Sequence, residues 1–142
     1  MEPKTDDAGA PRDETFPKSD RICRRPEFQR VQSQGERVHA THFLVMVLAR
    51  TDEQRRIGIT VTKKVGNAVH RNRVKRVMRE VFRRNRELFP EGADIVVIAK
   101  HGAPRLGYAE AVEQMTRIGK ALRSARLKSH EKRRRLDDSG VG

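Results

Sequence analysis

The chain has 142 residues, with 32 Lys or Arg against 19 Asp or Glu, a net charge of +13, 35% apolar residues and 4% aromatics. That length fits one small domain, and that composition excludes a large enzyme with a deep apolar substrate cavity. The longest apolar run, Phe43 to Ala49, is far short of the about 20 residues a helical membrane crossing needs, and no basic start followed by an apolar stretch follows Met1.

Residues 1–20 carry three basic and six acidic side chains and no aliphatic periodicity, which predicts a flexible N-terminal extension. Residues 21–126 are expected to form the domain. Cys23 is the single cysteine, so an internal disulfide and a Cys-rich zinc site are excluded, and a cytoplasmic protein is expected. Pro26 suits the first turn of a short helix carrying Phe28 and Val31, with Gly35 as its stop. Phe43–Ala49 reads as a strand buried on both faces. The alternation over 56–62 reads as a second strand, and the short polar linker between them predicts an antiparallel pair.

Asn67 suits a helix cap. After it Val74, Val77, Met78, Val81 and Phe82 follow helical spacing, while Asn72, Arg76, Arg79, Arg83 and Arg86 fall on the opposite side, flanked by Arg73 and Lys75. Residues 69–86 hold eight basic side chains and one acid, Glu80. Residues 94–99 read as another buried strand. Between Tyr108 and Arg126 a broken helical pattern places Ala111, Met115, Ile118, Ala121 or Leu122, and Ala125 on one broad side. Residues 127–142, a basic run ending in Asp137 and Asp138, fit either a continued helix or a loose arm; a flexible tail is expected.

The charge excess is concentrated, since residues 51–90 alone carry a net +8. A basic surface on ordered elements points to a polyanion, and nucleic acid is the first candidate, ahead of an anionic membrane or an acidic protein. Arg outnumbers Lys 23 to 9, and the guanidinium fork suits phosphate. In Lys63-Lys64-Val65-Gly66-Asn67-Ala68-Val69-His70-Arg71-Asn72-Arg73-Val74-Lys75-Arg76 a strand ends in two lysines, Gly66 turns the chain, and a helix opens with Arg71, Asn72, Arg73, Lys75 and Arg76 in its first turns. Helix starts favour phosphate, and asparagine adds donor and acceptor groups that arginine lacks. The mixture suits a folded RNA surface. The five histidines, at 39, 42, 70, 101 and 130, form no H-E-x-x-H pattern, and no protein catalytic site is expected. A structural RNA-binding protein or a DNA-associated protein would share the charge and the size.

The ordered block from Ile57 to Val69, followed by Arg71 to Arg76 and Arg79-Glu80, closely resembles the signature of the bacterial ribonuclease P protein subunit. Pro26 to Val31, Gly35, Phe43 and residues 94–99 extend the resemblance over roughly 21–125. The resemblance implies an α/β (α+β) two-layer sandwich like ribosomal protein S5 domain 2. Its sheet would be mostly antiparallel, with a left-handed β-α-β crossover. It implies a protein that joins a catalytic RNA subunit in the Mg²⁺-dependent removal of 5′ leaders from precursor tRNA, with Mg²⁺ held mainly by RNA and with no membrane or obligate protein partner. The RNA-binding residues implied are Lys63, Lys64, Asn67, Arg71, Asn72, Arg73, Lys75, Arg76 and Arg79. A cleft for the single-stranded leader is implied at Phe28, with Gln32 and Met46 standing where family members often carry aromatics.

Overall fold

The computed structural model describes residues 18–101, 103 and 106–141. After a 3-10 turn at Lys18–Asp20 come α1 (Arg25–Gln34), β1 (Glu36–His39), β2 (Phe43–Ala49), β3 (Arg55–Thr60) and α2 (Ala68–Arg84). A 3-10 turn at Arg86–Leu88 then leads to β4 (Ala93–Ala99), α3 (Tyr108–Arg117) and α4 (Gly119–Val141). The strands form one sheet in the order β1-β2-β4-β3, antiparallel at β1–β2 and β2–β4 and parallel at β3–β4.

Alternation along the strands divides the sheet into two faces. Phe43, Val45, Val47, Ile57, Ile95 and Val97 join the larger core with Val74, Met78, Val81 and Phe82 of α2, Ala111 and Met115 of α3, and Leu122 and Ala125 of α4. The other face carries a smaller cluster, in which Met46, Leu48 and Val96 meet Ile22, Val31 and Phe28 under α1. The expected two-layer sandwich therefore describes the larger core, and α1 adds a partial layer on the second face. The buried side of α2 is the side its helical spacing predicts, and burying a side chain such as Phe82 contributes about 1.5–3 kcal/mol. The break expected within 108–126 falls at Ile118, which caps α3 before α4 begins.

Three expectations are corrected. The short 50–54 linker predicts direct pairing of β2 and β3, but β4 lies between them. Every residue of β4 except Ile98 is buried, and such a strand is best placed at the sheet centre, where both of its edges are hydrogen-bonded. The linker has only to cross one strand, about 10 Å. It is tied to the start of β4, for Arg50 N–H donates to Gly92 O (2.7 Å) and Ala93 N–H to Gln54 O (3.1 Å).

The flexible tail expected from residue 127 is instead the continuation of α4. β1 pairs with β2 only as far as Val47, so Ala49 has no strand partner on that side. Its N–H donates to Ser129 Oγ (2.9 Å) and its carbonyl accepts from Arg133 Nη1 (2.6 Å). These bonds hold the helix where a strand would otherwise continue, since buried backbone groups require partners. At the other end, residues 1–17 of the expected extension lie outside the described residues. Ser19 and Asp20 are bound to the domain: Gln54 Nε2 donates to Ser19 O (2.6 Å) and Arg86 Nη1 to Asp20 Oδ2 (2.6 Å).

The sheet contains one buried carboxylate, Asp94, which is 2% exposed. Arg56 of β3 donates to both its oxygens (2.8 and 2.9 Å), and Arg50 beyond β2 donates to Oδ1 (3.0 Å). Arg56 also reaches Glu27 of α1 (3.2 Å). Burial by itself would raise the Asp94 pKa, but the arginine hydrogen bonds and charges outweigh it and hold the group below its usual 3.8. A carboxylate with a lowered folded pKa contributes stability above its unfolded pKa and loses that contribution as pH falls through the folded value. Asp94→Asn is therefore expected to cost about 2–4 kcal/mol in urea unfolding at neutral pH, below the fully buried range because both arginines remain partly exposed. The wild-type chain should lose stability below about pH 4 more steeply than the variant.

Candidate nucleic-acid interface

The loop from β3 to α2 is built around a close approach. A Cβ at Gly66 would lie 2.9 Å from His70 Cβ, so the loop folds onto the first turn of α2 only with glycine there. Asn67 is the N-cap, its side chain accepting from His70 N–H at 3.0 Å. Lys63 and Lys64 are exposed in the turn before it. Val69 is 74% exposed at the start of the helix, an apolar surface beside the lysines that charge patterning does not reveal.

The Arg-Asn-Arg motif divides its work. Arg71 donates to Gly66 O (3.1 Å) and so closes the loop, and Arg73 donates to Leu106 O (3.2 Å), tying α2 to the segment before α3. Asn72 between them is exposed, as are Arg76 and Arg79, while Lys75 is half-buried. Farther along, the row expected from spacing loses free charge. Arg83 donates to Glu80 (2.6 Å), Arg84 lies 3.4 Å from the same carboxylate, and Arg86 binds Asp20 and lies over the Phe82 ring. The hydrogen bond from Arg83 lowers the Glu80 pKa, so that carboxylate stays charged and keeps neutralising this end of the helix. The exposed cations of α2 are thus concentrated in its first three turns.

Phe28 is half-buried, and its ring lies against β3: a Cβ at Gly58 would stand 2.6 Å from Phe28 Cε1. Beside the ring opens a recess of about 310 Å³ lined by Phe28, Gly58, Ile59, Cys23, Lys75 and Arg79. It lies at the outer edge of β3, between α1 on one sheet face and α2 on the other. Spacing alone places Phe28 and the α2 cations on unrelated elements; the fold brings Phe28, Lys75 and Arg79 to one opening. Gln32 is half-buried on α1. Met46 is 2% exposed beneath α1 among Val31, Leu48 and Val96, so it supports the cleft from below and presents no ligand surface.

The interface offers ammonium, guanidinium and amide groups, which do not form the oxygen cage of a hard divalent ion. Among the described residues there is no group of three or more His, Cys, Asp or Glu arranged to hold a metal ion, and no helix long and apolar enough to cross a membrane. The chemistry available is recognition of phosphate, by charge and by the donors of the α2 start, next to an aromatic face open to a base.

Comparison with known proteins agrees with this geometry. The Ribonuclease P family model matches residues 16–123. The ribonuclease P protein component of Geobacter sp. (strain M21) is 45% identical over 95 residues, 67% of this chain and 81% of the relative. That of Syntrophus aciditrophicus is 41% identical over 101 residues, 71% and 85% of the two chains. Among solved structures, the RNase P protein of Staphylococcus aureus superposes with a TM-score of 0.65 at 32% identity, covering 73% of this chain and 95% of the other. That of Thermotoga maritima gives 0.64 at 30% identity, covering 73% and 96%. A basic strand–turn–helix on this mixed α/β sheet, matched in both sequence and fold over most of the chain, places it in the ribonuclease P protein family.

Proposed function

We infer that this chain is the protein subunit of ribonuclease P. It would act in the cytoplasm, assisting a catalytic RNA in the hydrolytic removal of the 5′ leader from precursor tRNA. The observation that carries the reading is the recess at the β3 edge, where Phe28 meets Lys75 and Arg79 of the basic helix. One side of that opening suits an RNA backbone and the other an unpaired base. The reading carries with it the S5 domain 2-like topology and the left-handed β3–α2–β4 crossover that the resemblance implies.

In this reading Lys63, Lys64, Asn72, Arg76 and Arg79 contact RNA directly, while Asn67, Arg71 and Arg73 hold the loop and helix that present them. Lys75 and Arg79 flank the point where the leader passes Phe28. Gln32 borders the leader on α1, and Met46 packs beneath it. The protein neutralises phosphate repulsion between catalytic RNA and substrate, which strengthens their association at low salt. Mg²⁺ belongs to the catalytic RNA and the substrate, and no side chain of this chain is assigned to the hydrolytic step. A structural RNA-binding protein of other function would bind RNA through the same cations, without a preference for leader-bearing tRNA.

Reconstitution with a bacterial catalytic RNA and a 5′-labelled precursor tRNA at low millimolar Mg²⁺ tests the reading. Cleavage at the mature 5′ end is expected with both subunits present and with neither alone. Binding without correct cleavage, across several catalytic RNAs, would assign the chain to structural RNA binding instead. Arg76→Ala should reduce holoenzyme activity about three- to tenfold at low Mg²⁺, with recovery at high Mg²⁺, and lower the salt-dependence slope of binding by about one. Its unfolding midpoint should match that of the wild-type chain, because Arg76 is exposed; unchanged activity at both Mg²⁺ levels would remove it from the interface.

A further inference from the structure

The second half of α4 lies beyond residue 123, where the family match ends, and it is held against the sheet by the two bonds to Ala49. This anchoring places Lys132 and Arg133 opposite Arg30, Ser33 and Gln34 of α1, across a slot of about 300 Å³ floored by Leu48. The slot adjoins a polar recess of about 290 Å³ lined by Arg30, Arg133, Arg50, Arg56, Thr51 and Glu27. Arg30 and Arg133 are common to both.

Charge in the polar recess is unevenly matched. Arg50 is bound by Asp52 and Asp94, and Arg56 by Asp94 and Glu27. Arg133 gives one guanidinium nitrogen to a neutral carbonyl, and among the described residues no carboxylate is paired with Arg30, Lys132 or Arg133. Arg30 and Arg133 therefore face the junction between a slot with an apolar floor and a recess lined by guanidinium groups, a threonine and the paired Glu27, and Lys132 lines the slot beside them. An apolar floor next to convergent cations fits a nucleotide, with the base over Leu48 and the phosphate between Arg30, Lys132 and Arg133.

The position relative to the β3-edge recess is also set by the fold. Arg56 lines the polar recess, and Ile57, Gly58 and Ile59, the next three residues of β3, line the β3-edge recess, so the two openings lie within about 10 Å of each other along the strand. The β3 chain then leads into Lys63, Lys64 and the start of α2. A single strand entering beside Phe28 would pass Glu27 and Arg56 into the polar recess and reach the slot through Arg30 and Arg133, which line both.

We propose that α1 and the second half of α4 form an upstream nucleotide site for the 5′ leader of precursor tRNA, with Arg30, Lys132 and Arg133 as its phosphate contacts. The proposal rests on the leader-binding reading above. The site recognises single-stranded RNA by backbone charge and one unstacked base, and it extends the bound length of the leader beyond the β3-edge recess.

The test measures Kd of the reconstituted holoenzyme for mature tRNA and for precursor tRNAs with a leader of a few nucleotides or a long leader. Wild-type protein is compared with Arg30→Ala and Lys132→Ala, both exposed and neither in the core. Each variant should weaken long-leader binding about three- to tenfold and leave short-leader binding unchanged. Arg76→Ala, which acts on the basic helix, should weaken both alike. If the variants bind the long leader as tightly as wild type, while wild type still prefers leader-bearing over mature tRNA, the upstream site is overturned and the leader reading stands. Equal weakening for short and long leaders also overturns it, assigning these cations to the tRNA body or the catalytic RNA. A wild-type holoenzyme with no preference for any leader overturns both.

Discussion

Asp94 is a charged group at the centre of a sheet, and its solvation comes from two strands that do not touch each other. Arg56 reaches it from β3 and Arg50 from the end of β2. Such an arrangement requires β4 between them. Removing a carboxylate from water is costly unless it is paired and hydrogen-bonded, so the pairing favours this strand order over direct contact of β2 with β3. The Arg56 guanidinium continues to Glu27, and the same network therefore ties α1 to the second face. With β3 at the edge, the helix that follows it also lies at the edge, where its first turns can meet a ligand. The positions of α1 and α2 on either side of the β3 edge depend on this central strand.

The net charge of +13 overstates the charge offered to a partner. Arg50 and Arg56 serve Asp94; Arg83 and Arg86 serve Glu80 and Asp20. Arg71, Arg73, Arg123, Arg126 and Arg133 each donate to a backbone carbonyl, those of Gly66, Leu106, Glu87, Gly92 and Ala49. Arginine suits this work because its planar fork can satisfy two acceptors while its stem covers apolar surface. Of the exposed cations, one group lies at Lys63, Lys64 and the first three turns of α2, and others lie on α1 and α4, Arg30 and Lys132 among them. Grouping on a capped helix next to an aromatic recess is a more specific statement about RNA than the total charge.

The two helices that frame the β3-edge recess are held by different means. α2 buries a continuous apolar stripe in the larger core. α1 rests on a small cluster of Val31, Met46, Leu48 and Val96, with the Phe28 ring against Gly58. Its position depends more on specific contacts, including Glu27 to Arg56, than on buried area. The long α4 is anchored through Leu122 and Ala125 in the core and then through Ser129 and Arg133 at Ala49. A helix that begins in the core and ends beside α1 gives the second face a wall that β1 is too short to supply.

Much of this protein was legible from its residues. Helical spacing from Val74 to Phe82 determined both faces of α2, because a 3.6-residue period leaves little choice of which side is buried. Asn67 and Gly66 marked the turn before it through local chemistry alone. The apolar runs at 43–49 and 94–99 identified the buried strands, and the ordered block from Ile57 to Glu80 identified the family. Strand order was decided only by tertiary structure. The linker length permits either direct pairing or a step across one strand, and the choice depends on where Asp94 and the fully buried β4 are stabilised. The strand Glu36–His39 has too little apolar alternation to stand out before β2 pairs with it. Residues 127–135 read equally as tail or helix until Ala49 supplies an unpaired backbone edge for Ser129 and Arg133. The meeting of Phe28 with Lys75 and Arg79, and of Arg30 with Lys132, joins segments far apart in the chain. Local propensity carries no information about such contacts, which follow from the packing of α1, α2 and α4 around one sheet.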